Sequence, residues 1–136
     1  YRSGGSFQSN DSIVSTLPVD GRYIGPPIYF FFVLDTDRLT DPSQLVNLDG
    51  IARIAKKHGL HVQIIGAADS ATGNDTINNG LSPRRAAYIA GQLQLRSVDA
   101  NRIETVSAGG IDKYKPTEAN RNACVRLLLP SSDTTD

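Results

Sequence analysis

An acidic and a basic signal stand close together in this sequence. Asp69 sits in Gly66-Ala67-Ala68-Asp69-Ser70, and two arginines sit in Asn78-Asn79-Gly80-Leu81-Ser82-Pro83-Arg84-Arg85-Ala86. Ser82 reads as a helix N-cap with Pro83 at the first helical position, so both arginines are predicted in the first turn of a helix. That placement opposes the helix dipole, whose positive end favours Asp or Glu. A bound anion would offset it, because the free N–H groups of a helix start already form an anion site. Asp69, predicted just past a strand, would add a negative pole. The chemistry this predicts is recognition of a zwitterion, an ammonium on the carboxylate and a carboxylate on a guanidinium. Arg84, one residue round the helix from Arg85, is predicted to face solvent.

Other candidates carry less. Asp35-Thr36-Asp37 follows an apolar run, the way haloacid-dehalogenase-type phosphatases present a nucleophile, an acid and a Mg²⁺ site. This makes a Mg²⁺-dependent phosphohydrolase using Asp35 and Asp37 the alternative reading. Leu39 stands where that chemistry uses Thr, and two carboxylates solvating a strand end account for the same residues. His58 and His61 flank Gly59, where a helix must end, and no Cys or carboxylate cluster joins them. No metal centre and no cofactor are expected. Cys124 reads as a small buried strand residue. There is no nucleophile–base pair and no phosphate-cradling glycine loop, so the chain is not expected to be an enzyme.

The elements that must position these residues follow from periodicity. Residues 28–34, Ile-Tyr-Phe-Phe-Phe-Val-Leu, are continuously apolar and predict a strand covered on both faces, central in its sheet. Asp41 caps a helix with Pro42 at its start; Leu45, Leu48, Ile51, Ala52 and Ala55 recur at helical spacing, and Gly59 closes it behind Lys56, Lys57 and His58. A second strand is predicted over 60–65, then a polar loop to Gly80. The second helix buries Ala86, Ile89, Ala90 and Leu93. Strands at 103–106 and 124–129 complete β-α-β-α-β-β, an α/β fold (an α+β sandwich) of two helices on a mixed four-stranded sheet. Gly109-Gly110 opens the loop between the last two strands, which carries Lys113, Tyr114 and Lys115. Residues 1–27 read as a linker or N-terminal extension with a short edge strand near 12–17, residues 28–130 as the domain, and 131–136 as a tail.

The 136 residues suit one domain. Fourteen Lys plus Arg balance fourteen Asp plus Glu, so no global field draws nucleic acid or an anionic membrane, and any charge selectivity is local. With one Cys there is no internal disulfide. No apolar run has the length of a membrane span, so no membrane insertion by this segment is expected. Beginning at Tyr1 without any Met, the chain is expected to be a processed product or an excised domain.

The string Asn78-x-x-Leu81-Ser82-x-x-Arg85-Ala86, with Gly66 and Asp69 upstream, resembles the OmpA C-terminal domain family, the peptidoglycan-binding module also found in Pal lipoproteins and MotB. The likeness covers roughly residues 29–129. It implies that Asp69 and Arg85 grip the diaminopimelate side arm of the peptidoglycan stem peptide, that Asn78 positions the loop or donates to the ligand, and that Ala68 and its neighbours offer backbone hydrogen bonds. It further implies a periplasmic domain of an outer-membrane-associated protein in a diderm bacterium, tethering it to the wall; a homodimer stays open. The family often has Thr where Ala68 stands, which removes a hydroxyl contact. It also tends to open its last strand with Asn-Arg-Arg-Val, where this chain has Asn120-Arg121-Asn122-Ala123-Cys124-Val125. A third ligand contact from that region would fall to Arg121. A protein-interaction module with a vestigial pocket is the remaining alternative.

Overall fold

The computed structural model describes residues 22–130. β1 (Tyr23–Phe31), α1 (Leu45–His58), β2 (His61–Asp69), α2 (Asp75–Leu95), β3 (Ile103–Ile111) and β4 (Asn122–Leu128) follow in the expected β-α-β-α-β-β order. The strands lie in the order β1-β4-β2-β3. β2 and β3 are parallel, with α2 as their crossover, whereas β4 runs antiparallel to both β1 and β2.

One core holds the layers together. Phe30, Val62, Ile64, Ala123 and Val125 alternate along their strands and meet Leu48, Ile51, Ala52 and Ala55 of α1 and Ala86, Ile89 and Leu93 of α2. Both helices therefore share one face of the sheet. The start of α1 is built as its residues predict: Asp41 accepts from Ser43 N–H at 2.9 Å and caps a short 3₁₀ turn, Pro42–Gln44, that runs into the helix. Gly59 ends it in the left-handed region at φ 64°.

The first strand is an edge strand, not a central one. Its apolar run is continuous for a different reason. Phe30 and the following Phe32 enter the core, while Tyr29 stacks on Phe31 and meets Tyr114 edge-on on the other face. The free edge at Phe31 is answered by the Gln44 amide, which accepts from Phe31 N–H at 2.8 Å and donates to its carbonyl at 3.3 Å. The strand begins at Tyr23, inside the stretch read as linker, and Pro26-Pro27 coincide with a register shift between Ile24 and Ile28. The edge strand expected near 12–17 and the tail at 131–136 lie outside the described residues.

The second helix also differs from expectation. It starts at Asp75, capped by the Asn74 side chain accepting from Ile77 N–H at 2.9 Å, and Pro83 lies inside it. Ser82 is no N-cap, the predicted polar loop shrinks to 70–74, and Arg84 and Arg85 stand roughly three turns from the helix start. The helix-terminus anion site inferred from them does not exist. Gly66 explains how α2 lies so close to β2: a Cβ there would stand 2.0 Å from the Ser82 carbonyl oxygen and 2.9 Å from Ala86 N. β2 and β3 both outrun their predicted ends, so Asp69 closes β2 rather than following it and Gly109-Gly110 belong to β3.

Candidate functional site

Asp69 is the last residue of β2, 2% exposed, and pairs in register with Ile111 of β3. Its Oδ1 accepts from Ala71 N–H at 2.9 Å and its carbonyl from Thr72 N–H at 3.2 Å, so the carboxylate turns the chain out of the strand. Its Oδ2 faces the Arg121 guanidinium, with Nη2 at 3.4 Å. Arg121 opens the way into β4, 52 positions away in sequence. Its backbone is fixed, the carbonyl accepting from Phe32 N–H at 2.8 Å and the N–H donating to Glu118 at 3.1 Å. The preceding Asn120, fully buried, accepts from the N–H groups of Lys113 and Tyr114 and donates to the carbonyls of Tyr114 and Thr117. That amide staples the loop from which Arg121 projects.

Arg85 is differently held. It is 1% exposed and donates from Nε to the Thr36 carbonyl at 2.8 Å, from Nη1 to Ala67 at 2.9 Å and from Nη2 to Val33 at 3.2 Å. Its guanidinium also sits 5.4 Å from the Phe32 ring centre. It thereby ties the turn after β1 to the end of β2. Burial, and after it the neighbouring Arg121 charge, push its pKa down to about 10, with Asp35 and Asp37 acting in the opposite sense; it stays cationic at neutral pH. Arg84 is exposed, as expected.

Asp35 sits in the left-handed region at φ 58° within the turn that Arg85 holds. Asp35 and Asp37 thus face a cation, and among the described residues no group of three or more His, Cys, Asp or Glu could hold a metal ion. His58 ends α1 and His61 begins β2, either side of the left-handed Gly59.

Asn78, 4% exposed in the first turns of α2, donates to the Thr72 carbonyl at 3.2 Å and braces the loop behind Asp69. Ala68 is fully buried opposite Gly110, so it fixes where Asp69 emerges. Sequence reasoning missed the role of Ser82. Its hydroxyl, fully buried, donates to the Gly66 carbonyl at 3.0 Å, accepts from Gly109 N–H at 2.9 Å and bonds Ser107 Oγ. It pins α2 to β2 and β3 where the β2–β3 register shifts, between Gly66 and Ala68. A serine beside a proline reads first as a cap, and only the length of α2 shows otherwise. Away from this site, a hollow of about 180 Å³ is lined by Lys56, Gly59, Asp99 and Arg102 among others. Its two cations already donate to the carbonyls of Arg96 and Gly59.

Fold and site define an α/β module of two helices on a mixed four-stranded sheet, with a buried acid paired to one arginine at the end of β2 and a second, buried arginine bonded to the same strand. The OmpA family model matches residues 31–124, and the chain belongs to that family. Outer membrane protein 40 of Porphyromonas gingivalis (strain ATCC BAA-308 / W83) is 33% identical over 107 residues, 78% of this chain and 28% of that protein. The chain thus spans little more than a quarter of that relative. Among solved structures, the peptidoglycan-associated lipoprotein of Burkholderia pseudomallei superposes with a TM-score of 0.64 at 25% identity, covering 73% of this chain and 88% of that one. The OmpA-like domain of FopA1 from Francisella tularensis subsp. tularensis SCHU S4 superposes with 0.65 at 18% identity, covering 83% and 78%, a likeness of fold. Among the described residues no helix is long and apolar enough to cross a membrane.

Proposed function

We propose that this domain binds peptidoglycan non-covalently through the diaminopimelate side arm of the stem peptide. In this reading it holds an outer-membrane protein to the wall from the periplasm of a diderm bacterium and catalyses no reaction. The carrying observation is the buried Asp69 carboxylate facing the Arg121 guanidinium, with the Arg85 guanidinium bonded to the Ala67 carbonyl two residues before Asp69. Diaminopimelate carries an ammonium and a carboxylate on one carbon, so the acid receives the first and the cationic wall the second. Asn78 and Ala68 set the loop and strand end that aim Asp69. Family membership and the names of the peptidoglycan-associated lipoprotein and of outer membrane protein 40 support the reading.

Each charge-assisted contact contributes roughly 1.5–3 kcal/mol net. After the entropic cost of association, a single muropeptide should bind with a Kd of roughly micromolar to millimolar. A tether needs no more, because the polymer repeats the epitope and an anchored domain does not diffuse away. Co-sedimentation with purified sacculi tests the reading. The wild-type domain pellets with the wall, and Asp69→Asn, which keeps an acceptor for Ala71 N–H but leaves Arg121 without its counter-charge, stays in the supernatant while its circular dichroism remains that of the folded domain. A folded Asp69→Asn that pellets like the wild type overturns it.

A further inference from the structure

We infer that Arg121 is a displaceable latch on Asp69, and that its exchange onto the ligand carboxylate sets the preference for diaminopimelate over lysine. The inference rests on the diaminopimelate reading and deepens it. The contact is a single one, Arg121 Nη2 to Asp69 Oδ2 at 3.4 Å, between side chains 16% and 0% exposed. A charge-assisted N–H···O bond closes to about 2.7–2.9 Å, and an arginine facing a carboxylate commonly makes two. The Arg121 Nε is buried and has no hydrogen-bond partner. The pair is thus under-bonded at both ends: Asp69 Oδ2 holds one long contact, and the guanidinium keeps a buried donor unused. Nothing comparable holds for Arg85, whose three nitrogens each have a carbonyl.

An incoming ammonium can approach Oδ2 more closely than Arg121 does and take its place. The released guanidinium then offers Nε and a terminal nitrogen, a ready fork, to the carboxylate on the same ligand carbon. The exchange is electroneutral, one zwitterion replacing one internal ion pair. The Arg121 backbone and the Asn120 staple need not move. A lysine side arm brings the ammonium without the carboxylate. It can take Asp69 only by leaving Arg121 unpaired in a largely buried position, which is unfavourable.

The test is calorimetric titration of the domain with two disaccharide tripeptides, one carrying meso-diaminopimelate and one L-lysine, for wild type, Arg121→Gln and Arg121→Lys. Wild type prefers the diaminopimelate form by about tenfold or more, the equivalent of one charge-assisted contact. Arg121→Gln loses that preference from both sides, binding the diaminopimelate form more weakly and the lysine form at least as well as wild type does. Arg121→Lys, which keeps the charge without the fork, falls between. In the wild type, the Arg121 Nε–H resonance shifts on adding the diaminopimelate form and not the lysine form, a readout that needs no variant to fold. A folded Arg121→Gln with wild-type preference, or an Nε–H signal indifferent to the diaminopimelate form while it binds, overturns the latch and leaves the wall-binding reading standing. A wild type that binds neither tripeptide removes both.

Discussion

Arg85 and Arg121 line one site and are held in opposite ways. Arg85 comes from the middle of a helix, is bonded to three backbone carbonyls on two segments and lies against an aromatic ring. Arg121 comes from the mouth of a strand and holds one carboxylate at 3.4 Å, with a buried nitrogen unmatched. Carbonyls of fixed strands and turns cannot be exchanged for a ligand's atoms without undoing the fold, whereas a lone carboxylate contact can. Two cations of the same chemistry thus divide into one that builds the pocket and one that can trade partners.

The sharpest break in that comparison comes from stability. Arg85→Ala should lower the unfolding free energy by about 3 kcal/mol, because it opens a cavity and strips one buried and two half-buried carbonyls of a charged donor. Urea unfolding reads this directly. An Arg85→Ala domain as stable as wild type would put Arg85 in the same category as Arg121. For the same reason, lost wall binding in Arg85→Ala cannot by itself be assigned to a lost ligand contact.

Next in size is Gly66→Ala. Its Cβ would meet the Ser82 carbonyl oxygen and Ala86 N, both backbone atoms that cannot step aside alone, so a loss of about 2–3 kcal/mol follows. Ser82→Ala removes a hydroxyl that bridges three elements and should cost about 1–2 kcal/mol; the β2–β3 amides around Gly109 should then exchange faster with solvent. Arg121→Gln should change stability by only about 1 kcal/mol, since glutamine still offers Asp69 a donor. The smallest effect is at Cys124, whose thiol burial pushes up to about 11. It should resist alkylation at neutral pH in the native domain and react promptly in urea. Rapid native labelling would mean that the β1–β4 pair opens readily.

Much of this was legible in the residues, and the gaps have physical causes. Asp41-Pro42 and Gly59 marked the first helix because capping and the left-handed close are local events. The string from Asn78 to Ala86 singled out Asp69, Asn78 and Arg85, and the structure brings all three to one end of the sheet. The start of α2 was misplaced because Asn74-Asp75 and Ser82-Pro83 are both good helix openings. What decides between them is the burial of Leu81 and the bonding of Ser82 to β2 and β3, which no local signal shows. β1 was placed at the centre because an apolar run does not say what covers it; Tyr114, 85 positions away, meets Tyr29 from the β3–β4 loop. The Asp69–Arg121 contact was illegible for the same reason, being long-range and made by single side chains.

The most direct test of wall recognition at Asp69 is an amide-resolved NMR titration of the wild-type domain with the diaminopimelate disaccharide tripeptide. Saturable shifts at residues 68–72, Asn78 and Arg121, with the hollow by Lys56 and Arg102 silent, are the predicted result. Absence of shifts at millimolar ligand, or shifts gathered around that hollow instead, would contradict it.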